Sequence, residues 1–315
     1  MTYRGQSPDT HNMAIGKYIK EIGRGKDGAR SLTREQAADL FGQVLDGAVS
    51  DLEIGGFCLA LRIKGETAQE MAGFLDATHQ RLNKVPATQD GKPAIVIPSY
   101  NGARKLPVLT PLLALLLAGE GLPVLIHGTA TESSRVYTSK VLLALGIPSL
   151  LAITNIANGE IAFAPTELLC PGLQRLLEVR RLVNLRNSGH SVVKLMNPCA
   201  GKSLLVSSYT HPEYAVSMAA TFELMQMNAI LLRGTEGESV ADARRMPQMD
   251  AFVAGKRSIL QEAQSGTLPS LPDLPKEFDA DSTAAYIRNV MAGKSPVPAS
   301  IAKQVEHILR VSRSL

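Results

Sequence analysis

The chain has 315 residues, 45% of them hydrophobic, 20% charged and 4% aromatic, with no tryptophan and a formal net charge of +4. That length supports a substantial buried core and two domains or lobes. The longest apolar run, 112–118, is far short of the roughly 20 residues of a membrane span, and three widely spaced cysteines (Cys58, Cys170, Cys199) without a CxxC pair suit reduced thiols rather than a metal cage.

Residues 1–11 read as a loose tail without a basic-then-apolar leader, so a cytoplasmic location and no membrane association are expected. A short helix is predicted over 13–22. Glycines at 23, 25 and 28 forbid a stable helix in the basic stretch Gly23-Arg24-Gly25-Lys26-Asp27-Gly28-Ala29-Arg30. Thr33 with Gln36, and Thr67 with Glu70, carry capping-box spacing, and Ser50-Asp51 opens a helix between them. Leu40, Val44 and Leu45, then Ile54, Phe57 and Leu61, then Met71, Phe74 and Leu75 recur at helical spacing. Residues 1–85 therefore read as a helical N-terminal lobe, joined by helices from about 165–185, and residues 86–315 as an α/β lobe.

From Pro93 onward, short apolar runs alternate with helices, the signature of an α/β sheet. Strands are predicted at 94–98, 123–127, 191–196, 203–209 and 229–233. Helices are predicted at 112–118, 132–145, 166–184, 212–227, 282–291 and 301–311. Short, wholly apolar strands read as buried and largely parallel. The fold class expected is α/β, a small all-helical lobe beside a larger, mainly parallel-sheet lobe.

The stretch Ile95-Val96-Ile97-Pro98-Ser99-Tyr100-Asn101-Gly102-Ala103-Arg104-Lys105 organises this second part. An apolar strand opens into a polar loop, and the loop feeds an apolar helix, with Thr110 as the expected N-cap and Pro111 at the first helical position. Such an order aims backbone N–H groups and the positive end of a helix dipole at an entering anion. Ser99, Tyr100, Asn101, Gly102, Thr110 and His127 make up the expected phosphate or anion pocket. Charge distribution points the same way: no aspartate occurs between Asp90 and Asp242, and no acid from Val179 through Pro212, a window that holds Arg180, Arg181, Arg186, Lys194 and Lys202.

Several of these segments resemble the anthranilate phosphoribosyltransferase family, over nearly the whole chain. Lys64-Gly65-Glu66-Thr67 matches its "KGET" signature, and Leu125-Ile126-His127-Gly128 with Val141 to Gly146 follows "KHG…VLEALG". Phe163-Ala164-Pro165 and the run from Val179-Arg180-Arg181 to Asn197-Pro198 align with "FAP" and "VRK…RT…NP". The resemblance implies a nucleoside phosphorylase/phosphoribosyltransferase-like fold of glycosyltransferase family 3, and homodimerisation through the helical lobe.

Departures from the family pattern fall on its chemistry. The diphosphate loop "GTGGDG" is Pro98-Ser99-Tyr100-Asn101-Gly102-Ala103 here, and "NxST" is Val108-Leu109-Thr110-Pro111. The lysine of "KHGNR" is Ile126, and the magnesium-carrying "DE" pair falls on Ser239-Val240. Magnesium prefers hard carboxylate oxygens, and only Glu236 and Glu238 lie near the expected place. The replacements elsewhere are mostly bases: Arg104, Lys105, Arg135, Lys140, and Lys194 in place of a proline. With the Gly-Arg-Gly-Lys loop at 23–26 and the string 233–238, this pattern is similar to the YbiB-type branch of the family, whose members bind DNA and RNA without sequence preference. That resemblance implies a basic groove across a dimer.

The first expectation is therefore sequence-nonspecific DNA or RNA binding by a catalytically degenerate homodimer without a cofactor. Lys17, Lys20, Arg24, Lys26, Arg104, Lys105, Arg135, Lys140, Arg186, Lys194 and Lys202 are the expected contacts, each displacing counterions from phosphates. Tyr100 is a candidate to stack on a base, whereas His127 reads as a hydrogen-bonded structural histidine. No catalytic residue is assigned. The alternative is phosphoribosyl transfer to anthranilate or another aromatic acceptor, with magnesium and phosphoribosyl diphosphate in an altered site. A third is a regulatory module that binds a phosphorylated metabolite at the remodelled loop. His190, His211 and Cys199 fit no common zinc spacing, and no metal site is expected.

Overall fold

The computed structural model describes residues 15–25, 27–88 and 90–315. The predicted tail at 1–11, the start of the first predicted helix and Lys26 lie outside the described residues. Four helices come first: α1 (Gly16–Ile22), α2 (Arg34–Asp46), α3 (Asp51–Lys64) and α4 (Ala68–His79). Thr33, Ser50 and Thr67 each cap a helix with a complete capping box, so backbone donors at the starts of α2, α3 and α4 are satisfied locally. Phe41, Phe57 and Phe74, one from each of these three helices, meet in the lobe's core, with the Phe41 and Phe74 rings stacked 4.6 Å apart.

The larger lobe is built on an eight-stranded sheet: β1 (Ala94–Ser99), β2 (Val124–Gly128), β3 (Ile161–Pro165), β4 (Ser203–Tyr209), β5 (Ala229–Thr235), β6 (Glu238–Ala241), β7 (Met249–Val253) and β8 (Lys256–Gln261). The order is β3-β2-β1-β4-β5-β7-β8, and β6 pairs back on β5. The strands from β3 to β5 run parallel, and β6, β7 and β8 are antiparallel to their neighbours. Successive side chains alternate between two faces. Ile95, Ile97, Val124, Ile126, Leu204, Val206, Ile230 and Leu232 meet α5 (Thr110–Gly119), α6 (Thr138–Ala144), α11 (Ala280–Met291) and α12 (Ala299–Ser312). Val96, Leu125, Leu205 and Leu231 face the helical lobe together with α8 (Pro171–Val183), α9 (Gly189–Leu195) and α10 (Pro212–Leu224).

Several expected boundaries need correction. Residues 191–196, predicted as a strand, belong to α9 and its C-cap. Val192, Val193, Leu195 and Met196 are all buried, and a short apolar run surrounded by protein carries no period to separate strand from helix. The helix predicted over 166–184 divides into α7 (Thr166–Leu169) and α8 at Cys170 (φ −155°, ψ 92°), because Pro171 pushes its predecessor into an extended conformation. α6 starts only at Thr138, since Val136 is drawn into a bridge with Ala103. β3, β6, β7 and β8 were not predicted. The hairpin between β7 and β8 turns on Ala254 and Gly255, both at positive φ.

Strand order reverses between β1 and β4: β1 continues toward β2 on one side and β4 toward β5 on the other. Open α/β sheets bind ligands outside the carboxyl ends of their strands at such a point.

Candidate anion-binding site

The β1–α5 loop leaves the sheet at that switch point, and its donors converge on two carboxylates of the chain itself. Asn101 N and Gly102 N donate to Glu238 Oε1 at 2.8 and 2.7 Å. Ser99 Oγ donates to Glu238 Oε2 at 2.5 Å and lies 2.7 Å from Thr138 Oγ1, so Thr138 supplies the proton of that second bond. Thr110 Oγ1 donates to Glu238 Oε2 at 3.2 Å. One step further out, the backbone N–H groups of Arg104, Lys105 and Leu106 donate to Glu236 at 2.8, 3.1 and 3.3 Å. Glu238 is 2% exposed.

Both glutamates sit on one tight turn. β5 and β6 are joined through Glu236 and Gly237, whose φ values of 51° and 90° are the pair a two-residue type I′ hairpin requires. A side chain at Gly237 would meet Asn101 Nδ2 at 2.0 Å, so glycine is what lets the hairpin press against the loop. Lys194 fastens the turn from the other side, donating to Gly237 O at 3.0 Å and Ser208 O at 3.3 Å.

The anion pocket expected from the sequence is thereby corrected: the loop is an anion cradle, but its anion is internal. Thr110 is not the N-cap, which is Leu109; its hydroxyl serves Glu238 instead. Tyr100 cannot stack on an exposed base. It is 4% exposed, and its hydroxyl lies 2.8 Å from His127 Nδ1 and 2.9 Å from Thr166 Oγ1. Burial raises the Tyr100 pKa and pushes His127 down to about 3, which keeps both neutral and His127 structural.

Beyond the hairpin lies a cavity of about 560 Å³ between the lobes. It is lined by the α3–α4 turn, α9 with the turn before it, the carboxyl end of β4 and the start of α10. Arg62, Arg186, His190, Lys194 and His211 face Glu66 and Glu213 there, and Glu66 is already engaged by Ser188 Oγ at 2.5 Å. Arg186 makes no hydrogen bond or ion pair among the described residues; its pKa is lowered by burial and by the neighbouring guanidiniums of Arg180 and Arg135. Burial, opposed by Glu238, holds Lys194 at about 8. Burial and the nearby arginines hold His190 at about 3, so it is neutral at pH 7.

Of the bases expected to line a nucleic-acid track, Arg104, Lys105, Arg135, Lys140, Arg186 and Lys194 gather at the carboxyl end of the sheet. Arg104, Lys105 and Lys140 are exposed and have no carboxylate partner among the described residues. Arg135 is turned inward, bonded to Glu132 at 2.6 Å and to Asn101 O at 3.0 Å, and Glu132 is shared with Arg180. Lys194 is spent on the hairpin carbonyls. Lys202 precedes β4 and stands at the opposite, amino end of the sheet. In the helical lobe, Lys17 pairs with Asp39 at 3.9 Å and Arg24 with Glu21 at 2.6 Å, while Lys20 is exposed without a partner among the described residues. Arg62, Glu132 and Glu213 were not singled out by sequence; only the fold brings them beside the predicted bases.

The helical part, residues 17–81, matches the model described as glycosyl transferase family, helical bundle domain. Over 299 residues the chain is 41% identical to the uncharacterized protein YbiB of Escherichia coli strain K12, covering 93% of this chain and 92% of that one. It is 28% identical to the anthranilate phosphoribosyltransferase of Agrobacterium fabrum, over 84% and 78% of the two chains. This chain belongs to the anthranilate phosphoribosyltransferase-like family. The fold agrees: the Thermus thermophilus anthranilate phosphoribosyltransferase superposes with a TM-score of 0.69 at 22% identity, over 93% of this chain and 86% of that one. The Saccharomyces cerevisiae enzyme, solved in complex with PRPP and Mg, also gives 0.69, at 13% identity over 96% and 90%.

The acids near this loop do not fit a magnesium ion. Ser239 donates its hydroxyl to Pro98 O at 3.1 Å, and Val240 is buried in the core. Glu236 and Glu238, the acids nearby, are engaged by the loop's N–H and hydroxyl groups, an environment that offers a divalent cation repulsive dipoles. Among the described residues, no group of three or more His, Cys, Asp or Glu side chains could hold a metal ion, and no helix is long and apolar enough to cross a membrane.

Proposed function

We propose that this family member binds nucleic acid without sequence preference, as a homodimer, with the phosphate backbone laid along the mouth of the interlobe cavity. Arg186 carries the reading. It lines the cavity half-buried, with no hydrogen bond or ion pair among the described residues, and it gains most from an anion brought in from outside. Arg104, Lys105 and Lys140 continue the positive surface and are free to release counterions to solution when phosphates replace them. Base stacking contributes little, since Tyr100 is buried.

Self-association is supported by α3, where Leu52, Leu59 and Ile63 are 87%, 51% and 61% exposed, and by exposed Leu182 and Leu185 at the end of α8. Apolar side chains grouped on one lobe fit a second copy better than water. The free, buried thiols of Cys58, Cys170 and Cys199 suit the reducing cytoplasm.

The test is an anisotropy titration of a random-sequence oligonucleotide over a range of salt concentrations. Binding is expected at low salt, with log affinity falling linearly against log salt; no binding at low salt ends the reading.

A second reading, phosphoribosyl transfer to an aromatic acceptor, is favoured by the retained cavity and by relatives named for that activity. It requires the hairpin to leave the loop. Diphosphate release from phosphoribosyl diphosphate, magnesium and an acceptor would establish it.

A further inference from the structure

The β1–α5 loop presents backbone N–H groups at Asn101, Gly102, Arg104, Lys105 and Leu106, and all of them point at carboxylate oxygens of one hairpin. Ser99 and Thr110 add hydroxyl donors. Seven donors converging on two carboxylates of one hairpin give this loop the geometry of an anion site. Glu238, at 2% exposure, must also be desolvated to reach them. The hairpin accepts a left-handed glutamate at φ 51°, a conformation unfavourable for a side chain other than glycine, to bring Glu236 into place. Neither glutamate has an ion-pair partner within 4 Å among the described residues; Lys194, which fastens the turn through Gly237 O, is the base near Glu238.

We infer that the Glu236–Glu238 hairpin is a built-in ligand of this loop, an autoinhibitory contact that keeps phosphate-bearing molecules out of it. The two carboxylates use up the donors on which the oxygens of a bound diphosphate would otherwise draw. Removing them leaves a cradle competent to bind diphosphate without a metal. The inference does not depend on nucleic acid being the partner of the neighbouring cavity, since it is read with inorganic diphosphate alone.

The experiment is calorimetric titration of inorganic diphosphate, in chelator, into the wild-type chain, the Glu236→Ala/Glu238→Ala variant and the Glu236→Gln/Glu238→Gln variant. Alanine empties the cradle, whereas glutamine removes the same charge but still fills it. The alanine variant is expected to bind at least about tenfold more tightly than wild type, and the glutamine variant within about threefold of wild type. The alanine variant's melting temperature should also rise with added diphosphate, while that of wild type stays fixed. Equal gains in both variants would reduce the effect to net charge and overturn the inference, as would no gain in either. Tight diphosphate binding by the wild-type chain would overturn it too. If the double alanine variant does not fold, Glu236→Ala, which vacates only the outer N–H groups, is still expected to gain about threefold; no gain there overturns the inference.

Discussion

Two anion-seeking regions lie side by side in this molecule and are solved in opposite ways. In the β1–α5 loop, donors made of neutral backbone dipoles are matched by internal carboxylates. In the cavity beyond the hairpin, the Arg186 guanidinium is left without a hydrogen bond or ion pair among the described residues, and the charges of Arg180 and Arg135 act against it. The first arrangement stabilises the fold and closes a site. The second sacrifices stability and leaves one open. Charge count alone would rank both regions as attractive to phosphate; whether a donor is already satisfied is what separates them.

The largest effect should come from breaking the satisfied side. Glu238→Ala strands the Asn101 and Gly102 N–H groups and two hydroxyls in a buried site, and is expected to lower unfolding free energy by about 3 kcal/mol in a denaturant melt. Arg186→Gln should do the reverse: about tenfold weaker oligonucleotide binding by anisotropy, with stability unchanged or raised by up to ~1 kcal/mol, because a poorly compensated cation is gone.

A smaller, pH-dependent effect belongs to Lys194, which bridges the two regions. Its folded pKa of about 8 lies below the ordinary 10.5. Between those values the unfolded chain binds more protons, so stability rises with pH across that window, and below it the burial penalty on the charged lysine is fully present. Lys194→Met should abolish that rise in pH-dependent melts. Anion affinity of the wild type should fall as pH increases through about 8, and this fall should be absent in the variant.

The mildest changes sharpen the comparison. Arg104→Ala/Lys105→Ala keeps both backbone bonds to Glu236, so stability should stay within about 0.5 kcal/mol while the salt slope of oligonucleotide binding shrinks by about 2. Lys202→Ala, at the far end of the sheet, should leave that slope unaltered.

Much of this architecture was legible in the chain. Thr33, Ser50 and Thr67 announce their helices because a cap and its partner three residues on need nothing beyond themselves. The buried strands β1, β2, β4 and β5 follow from short apolar runs bounded by breakers. The site was harder to read. Glu236 and Glu238 stood out as the acids near the expected metal place, but their loop partners lie 128 to 139 residues away in sequence. Arg135 and Lys194 have the charge the sequence reading asked for, but their donation to internal carbonyls was not legible, because a base turned toward internal carbonyls looks identical in sequence to one facing water.

By itself, the sequence determined the alternation of helix and strand, the helical lobe's caps, the strand–loop–helix at 95–118 and the surplus of bases after Val179. Each of these is set by chemistry within a few neighbouring residues. Only the tertiary structure decided that 191–196 is helical and that the loop's donors are already taken. It also settled which arginine is left wanting a partner. Those outcomes depend on which distant groups arrive at the same place, since a hydrogen bond or an ion pair acts over a few ångströms of space and takes no account of separation along the chain.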